Sequence, residues 1–150
     1  MKYERKLALL RDARGVVPVQ FAALCTRRKA GKLEVLLITS RDTGRWILPK
    51  GWQMPERSGA ETALIEAWEE AGVLGALAGP PLGCYLYEKM VVPGRAHACR
   101  VEVHPVKVER LSADYPERDQ RRRKWMGAKK AAKAVAEPEL AALLRHLQKA

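Results

Sequence analysis

No apolar run in the sequence approaches the roughly 20 residues needed to cross a bilayer. The first twelve residues hold only a very short apolar stretch broken by charge, which is not a secretory signal. A cytoplasmic protein with no membrane partner is therefore expected. Cysteine is scarce. Cys25, Cys84 and Cys99 stand alone in strand-like segments, and no pair has zinc-finger spacing, so they read as small buried hydrophobes. His97, His104 and His146 also lack ligand spacing and receive no role. Internal repeats, low-complexity linkers and a recognisable RNA-recognition motif are all missing.

What remains is a chain of 150 residues, long enough to bury a core as one domain spanning 1–150. Hydrophobic content of 47% and charged content of 30% fit a soluble globular protein. The net charge is +11 and is unevenly spread. Residues 1–50 carry 12 basic and 4 acidic side chains, residues 51–95 carry 3 and 6, and residues 96–150 carry 13 and 7. An acidic middle inside a basic chain suits a metal site ringed by cations, and hence a polyanionic substrate. A solvated basic surface aiding solubility explains the overall excess equally well.

Val17 to Cys25 is apolar at every odd position, a strand pattern. Leu33 to Thr39 is aliphatic and β-branched, and the two strands read as a hairpin around the basic turn 27–32. A polar loop, Ser40 to Arg45, leads to a short strand, Trp46 to Leu48, ended by Pro49 and Gly51. Ser58 as N-cap with Glu61 three residues on forms a capping box for a helix from Ala60 to Ala71, with Gly72 as C-cap. Ala63, Leu64, Ala67, Trp68 and Ala71 form its expected packing stripe. Strand-like segments follow at 82–92 and 96–108, joined by a turn at Pro93-Gly94. Pro105 suggests an edge or a bulge. Lys124 to Met126 reads as a short strand after a loop at 111–121. Two helices close the chain, Ala128 to Val135 and one beginning near Glu137-Pro138.

The chemistry concentrates in the marked helix. Glu66, Glu69 and Glu70 stand at i, i+3 and i+4, so their carboxylates share one face. Like charges so placed repel, and hard divalent cations are the usual partners of clustered carboxylates. Such ions neutralise phosphate oxygens and acidify a bound water. Cations to hold phosphate are plentiful: Arg41, Arg45 and Lys50 before the helix, Lys89 and Arg100 on later strands, and Arg118, Arg121, Arg122, Arg123 and Lys124 in a dense run. Arg41, Arg45, Lys50 and Arg123 are the expected substrate-binding set. Glu88, Glu102 and Glu109 are candidates for an extra ligand or base, with no spacing to choose among them. Trp46 and Trp52 flank the loop, and each suits stacking on a base as well as it suits packing.

The segment Gly51 to Val73 resembles the Nudix box, G-x5-E-x7-R-E-U-x-E-E-x-G-U, where U is a bulky aliphatic residue. Gly51, Glu66, Glu69, Glu70, Gly72 and Val73 match in register. Arg57 stands where the family has its first glutamate, Ile65 where it has arginine, and Ala67 is smaller than usual. The box covers about a sixth of the chain, and the flanking Arg45 to Trp52 extends the likeness. The resemblance implies an α/β/α sandwich with a mixed β-sheet and the box as a loop–helix–loop. It implies a metal-dependent pyrophosphohydrolase of nucleoside diphosphate-linked compounds. Carried over by position, Glu66, Glu69 and Glu70 are catalytic, and with Gly51 they form the Mg²⁺ or Mn²⁺ site. Glu66 also polarises the attacking water.

The family arginine orients its neighbouring glutamate, which Ile65 cannot do. Both positions have lost their usual charge together, which argues for a rewired scaffold. Thr39 to Gly51 and the later Arg-Arg-Arg-Lys-Trp-Met look like the branch acting on diphosphoinositol and diadenosine polyphosphates. A small phosphorylated molecule is thus the expected partner of a monomer or homodimer. The alternatives are a non-catalytic nucleotide sensor and, less favoured, a nucleic-acid partner, either by plain RNA binding or by removal of pyrophosphate from RNA 5′ ends.

Overall fold

The computed structural model describes residues 18–92 and 95–147. The N-terminal segment and the Pro93-Gly94 turn lie outside the described residues. The strands are β1 (Val19–Lys29), β2 (Lys32–Thr39), β3 (Trp46–Ile47), β4 (Lys50–Trp52), β5 (Val73–Leu77), β6 (Gly83–Val92), β7 (Arg95–Leu111) and β8 (Arg123–Gly127). The helices are α1 (Gly59–Ala71), α2 (Ala128–Ala134) and α3 (Pro138–Leu147). The strands form one mixed sheet with a backbone order of β3-β2-β1-β7-β5. β4 joins it on β1, β6 on β7 and β8 on β2. Only the β1–β7 pairing is parallel among the strand pairs described.

Helix α1 packs on β1, β4, β5 and β7, α2 on β2 and β8, and α3 on α2 and β6. The result is an α/β/α sandwich, as the box resemblance implies. Covering both faces explains why β1 is buried from Gln20 to Cys25 without alternation. Its odd-numbered apolar residues meet one layer, and Ala22 and Leu24 meet the other. The β1–β2 turn is tight. Ala30 and Gly31 both have positive φ, 52° and 78°, between the paired Lys29 and Lys32, which is the twist a two-residue hairpin needs.

The expected helix start is present in full. Ser58 accepts from the Glu61 N–H, and the Glu61 carboxylate accepts from the Ser58 N–H. Gly72 closes the helix at φ 68°, ψ 27°, its N–H reaching the carbonyls of Ala67 and Trp68. A Cβ at Gly72 would fall 2.5 Å from Tyr115 Cδ1 and 2.9 Å from the Ser112 carbonyl oxygen. Gly72→Ala therefore adds left-handed strain to a backbone clash, a loss of about 2 kcal/mol. For a domain of this size that lowers Tm by roughly 4–8 °C in a thermal melt; an unchanged Tm would contradict this role.

Two expectations need correction. Pro105 lies at no edge: it sits inside β7, opposite Leu24 of β1. On its other side, β6 ends at the Gly83–Val103 pair and β5 begins at the Leu77–Val106 pair. Pro105 occupies that changeover, where its missing N–H disrupts no ladder. Trp68 is outside the core. The buried stripe of α1 is Thr62, Ala63, Ala67, Glu70 and Ala71, small enough to bring the helix close to the sheet. The indole lies on the flank, half-buried, beside Tyr115 and Pro116.

Candidate active site

Strand β4 is short and pairs with β1 through Lys50–Ala22, Gly51–Phe21 and Trp52–Gln20. Alternation sends Gly51 toward α1 and sends Lys50 and Trp52 to the opposite side. Gly51 is where the helix and the sheet edge meet. A Cβ there would lie 1.7 Å from Glu66 Oε2, so only glycine lets that carboxylate rest on the strand. Glu70, one turn on, accepts from the Lys50 N–H at 3.2 Å. Both carboxylates line a cleft of about 340 Å³, together with Gly51, Lys50, Arg41 and Arg121. A larger cleft of about 610 Å³ opens at the far end of β1, beside Arg27 and Lys107, but it holds neither box carboxylate.

The electrostatics of this pair are those of a site that wants a cation. Burial, then the charge of Glu70 and a hydrogen bond with Glu69, push Glu66 from 4.5 up to about 8. Burial pushes Glu70 from 4.5 up to about 7, against the opposing pull of Arg121 and of the Lys50 N–H. In the metal-free protein, then, the cluster stores protons where a dication would otherwise neutralise it. Glu69 reaches the cluster through its bond to Glu66. Among the described residues no three His, Cys, Asp or Glu side chains converge as a ready-made cage. The donors that fit a hard dication are the two lining carboxylates, Glu69 beside them, and backbone oxygen at Gly51.

A sign follows for pH. Both carboxylates titrate higher folded than unfolded, so the stability they contribute is complete below about pH 4.5 and is lost as pH rises through about 7 to 8. In EDTA, Tm should fall between pH 5 and pH 8, and the added stability from Mg²⁺ should grow over the same range. Differential scanning fluorimetry with and without Mg²⁺ measures both. A Mg²⁺ increment that shrinks with pH would remove the cluster as the binding site.

Sequence reasoning missed the second acidic element. Glu117 sits in the loop after β7, where its charge raises both Glu66 and Glu70. It is tied to the helix by its N–H, which donates to the Glu69 carbonyl at 3.0 Å. Between the two acidic groups lies Arg121, its side chain 7% exposed. Its Nη2 is 3.5 Å from Glu70 Oε2, its Nε donates to Glu117 Oε1 at 3.0 Å, and its Nη1 donates to the Thr39 carbonyl at 3.1 Å. The i, i+4 spacing of Glu117 and Arg121 was the available signal. Glu88, Glu102 and Glu109, the candidates for an extra acid, do not line the cleft. Glu102 instead bonds His104 at 2.8 Å.

The expected substrate cations divide. Arg41 lines the cleft with its side chain 58% exposed, and Lys50 lines it with its ammonium 3.7 Å from the Tyr87 ring centroid. Arg45 does not line it. It pairs with the buried Glu137 and stacks 4.7 Å from Tyr87. Arg123 is also elsewhere: its Nη1 donates to the Ala71 carbonyl at 2.8 Å and its guanidinium lies 4.7 Å from the Tyr115 ring, which fastens the end of α1. Gln20, Ser40, Asp42 and Tyr87 line the cleft without having been singled out.

No family model matches the chain. It is 33% identical over 105 residues to Nudix hydrolase 13, mitochondrial, from Arabidopsis thaliana, an alignment covering 67% of this chain and 52% of that protein. It is 33% identical over 116 residues to human diphosphoinositol polyphosphate phosphohydrolase 3-beta, covering 76% of this chain and 66% of that protein. The chain belongs to the Nudix family. It spans about half the length of the plant relative and under two thirds or so of the human one. In structure it superposes on Caenorhabditis elegans Ap4A hydrolase with a TM-score of 0.63 at 21% identity, over 89% of this chain and 98% of that one, which shows the Nudix fold.

Against the Nudix pattern, the two departures have distinct surroundings. Arg57 is exposed, and its guanidinium lies 3.8 Å from the Glu61 carboxylate. Ile65 is half-buried on α1, and the guanidinium of Arg121 meets one box carboxylate, Glu70. No helix among the described residues is long and apolar enough to cross a membrane.

Proposed function

We propose that this Nudix domain is a metal-dependent pyrophosphohydrolase that cleaves a phosphoanhydride in a nucleoside diphosphate-linked or polyphosphorylated molecule by attack of water. The observation that carries the reading is the approach of Glu66 to Gly51 and of Glu70 to the Lys50 N–H, in a cleft also lined by Arg41 and Lys50. Carboxylates that could hold a dication and cations that could hold phosphate thus stand in one cleft. Glu66, Glu69, Glu70 and Gly51 would hold Mg²⁺ or Mn²⁺, which when bound supplies charge neutralisation on phosphate oxygens and a more acidic water. Glu66 Oε2 accepts a hydrogen bond from the attacking water and polarises it. Arg41 and Lys50 bind the outer phosphate oxygens and orient the anhydride. Arg121 keeps Glu70 and Glu117 in place from behind.

The test is turnover of purified protein on a panel of nucleoside diphosphate compounds, diadenosine polyphosphates and diphosphoinositol polyphosphates, in Mg²⁺ or Mn²⁺ and in EDTA. Metal-dependent release of a phosphorylated product from at least one class is expected. A second reading, a nucleotide sensor, draws on the two box departures, Arg57, which reverses the usual charge, and Ile65, which removes it. Saturable binding by calorimetry with no product over a day would favour the sensor and refute the hydrolase.

A further inference from the structure

Helix α1 and its carboxylates lie on one side of the sheet, and the other side also reaches the cleft. Lys50 and Trp52 pair with Ala22 and Gln20 of β1. Gln20 is level with Val101 of β7, which is level with Tyr85 of β6. Paired positions share a face and every second position repeats it, so Lys50 and Tyr87 stand on the same side. That side is opposite to the one where Gly51 meets Glu66. Both residues line the cleft, and the Lys50 ammonium lies 3.7 Å from the Tyr87 ring centroid.

The same ring meets a second cation. The Arg45 guanidinium lies 4.7 Å from its centroid and pairs with the buried Glu137, just ahead of α3. The two cations are held in different ways. Glu137 offsets the charge of Arg45. A tyrosine ring attracts an ammonium through its quadrupole yet carries no net charge, so it holds Lys50 without neutralising it. Lysine needs such a hold, because its four-carbon stem is flexible. Glu70 accepts from the Lys50 N–H and also attracts the Lys50 charge. An ammonium drawn onto that carboxylate would take the oxygens that a dication needs. The ring itself is fixed. Tyr87 is 4% exposed, and Arg45 beside it is anchored twice, by Glu137 and by its own N–H, which donates to the Ser40 hydroxyl at 3.2 Å.

We propose that Tyr87 is a positioning residue, holding the Lys50 ammonium on the side of the sheet away from α1, clear of Glu70 and at full charge for a phosphate oxygen of the substrate. The role rests on the phosphoanhydride reading for the phosphate, whereas the contact between ring and ammonium stands apart from it.

Calorimetry in Mg²⁺ with methylenediphosphonate, a non-hydrolysable diphosphate, reads the phosphate affinity. Tyr87→Leu should weaken binding about fivefold to tenfold, and Tyr87→Phe, which keeps the ring, should recover it to within about twofold of wild type. In a Lys50→Met background, Tyr87→Leu should weaken binding about twofold or less, since the group it acts through is gone. On the best substrate of the panel the Tyr87→Leu loss should fall on KM, because an outer phosphate oxygen is held alike in ground and transition states. Proton NMR gives a readout that needs no substrate. The Lys50 ε-methylene signals should lie upfield under the Tyr87 ring current in the wild type and in Tyr87→Phe, and should return to ordinary positions in Tyr87→Leu. Far-UV circular dichroism and melts confirm that each variant is folded.

A Tyr87→Leu loss of equal size with and without Lys50 would show that the ring acts through packing alone and would overturn the proposal. A Tyr87→Phe loss as large as that of Tyr87→Leu would overturn it too. Ordinary Lys50 signals in the wild type, alongside metal-dependent turnover, would sink the positioning role and leave the hydrolase reading standing. Upfield Lys50 signals with neither diphosphonate binding nor turnover would remove the hydrolase reading, and the role of Tyr87 with it, while the contact itself stands.

Discussion

Glu66→Gln is expected to lower kcat/KM by about a thousandfold or more, because it removes roughly 4 kcal/mol of charge stabilisation and water polarisation at the reacting phosphate. Glutamine keeps the shape of the side chain that rests on Gly51, so geometry is preserved while charge is lost. The same substitution should raise the metal-free Tm at pH 8. Glu66 is pushed up to about 8 by burial and by Glu70, so its ionised form burdens the folded state and a neutral amide relieves it. Activity and stability therefore move in opposite directions, which separates a functional carboxylate from a structural one. Initial rates on the best substrate of the panel and melts in EDTA provide the two readouts. Wild-type rates, or a fall in both quantities together, would remove Glu66 from the reacting centre.

Arg121→Leu carries the second large effect, this time on the fold. The guanidinium lies between Glu70 and Glu117 with its side chain 7% exposed. Removing it strands buried negative charge, a loss of about 3–5 kcal/mol at pH 8. That corresponds to a Tm lower by roughly 10 °C. The loss should shrink at pH 5, where Glu70, already pushed up to about 7 with its counter-ion in place, takes a proton and needs no partner. Denaturant unfolding at the two pH values measures the difference. A penalty of equal size at both would show that Arg121 acts through packing alone. The box has Ile65 where the family has arginine, and the result at Arg121 reports how much a guanidinium from beyond β7 steadies a different box carboxylate, Glu70.

Local signals were the most readable. The capping box at Ser58 and Glu61, the glycine after Ala71, and Pro138 at the start of α3 each act within one or two turns of backbone, so their meaning survives without knowledge of the fold. The matched spacing of Glu66, Glu69 and Glu70 likewise needs only a helix. What escaped depends on distant partners. Strands β4 and β5 are short, and Gly51, matched to the box, was read as ending a strand where it lies inside one under Glu66. Pro105 was misjudged because its neighbours on one side change from β6 to β5 at that residue. Arg45 and Arg123 looked like phosphate binders since their partners, Glu137 and the Ala71 carbonyl, are far away in sequence. Glu117 drew no attention for the same reason.

The parallel ladder between β1 and β7 has a kinetic corollary. It joins Val19 through Thr26 to Arg100 through Lys107, so most of the chain must exist before the central pair can zip. Loop closure over that span is entropically costly and slows folding relative to hairpin-only sheets. A ribosome-bound chain that has not yet emitted β7 holds the oily β1–β2 hairpin with one flank bare, the interval in which a chaperone would find it. Gln20 and Arg121, near the two ends of this long loop, come together at the cleft only once it has closed.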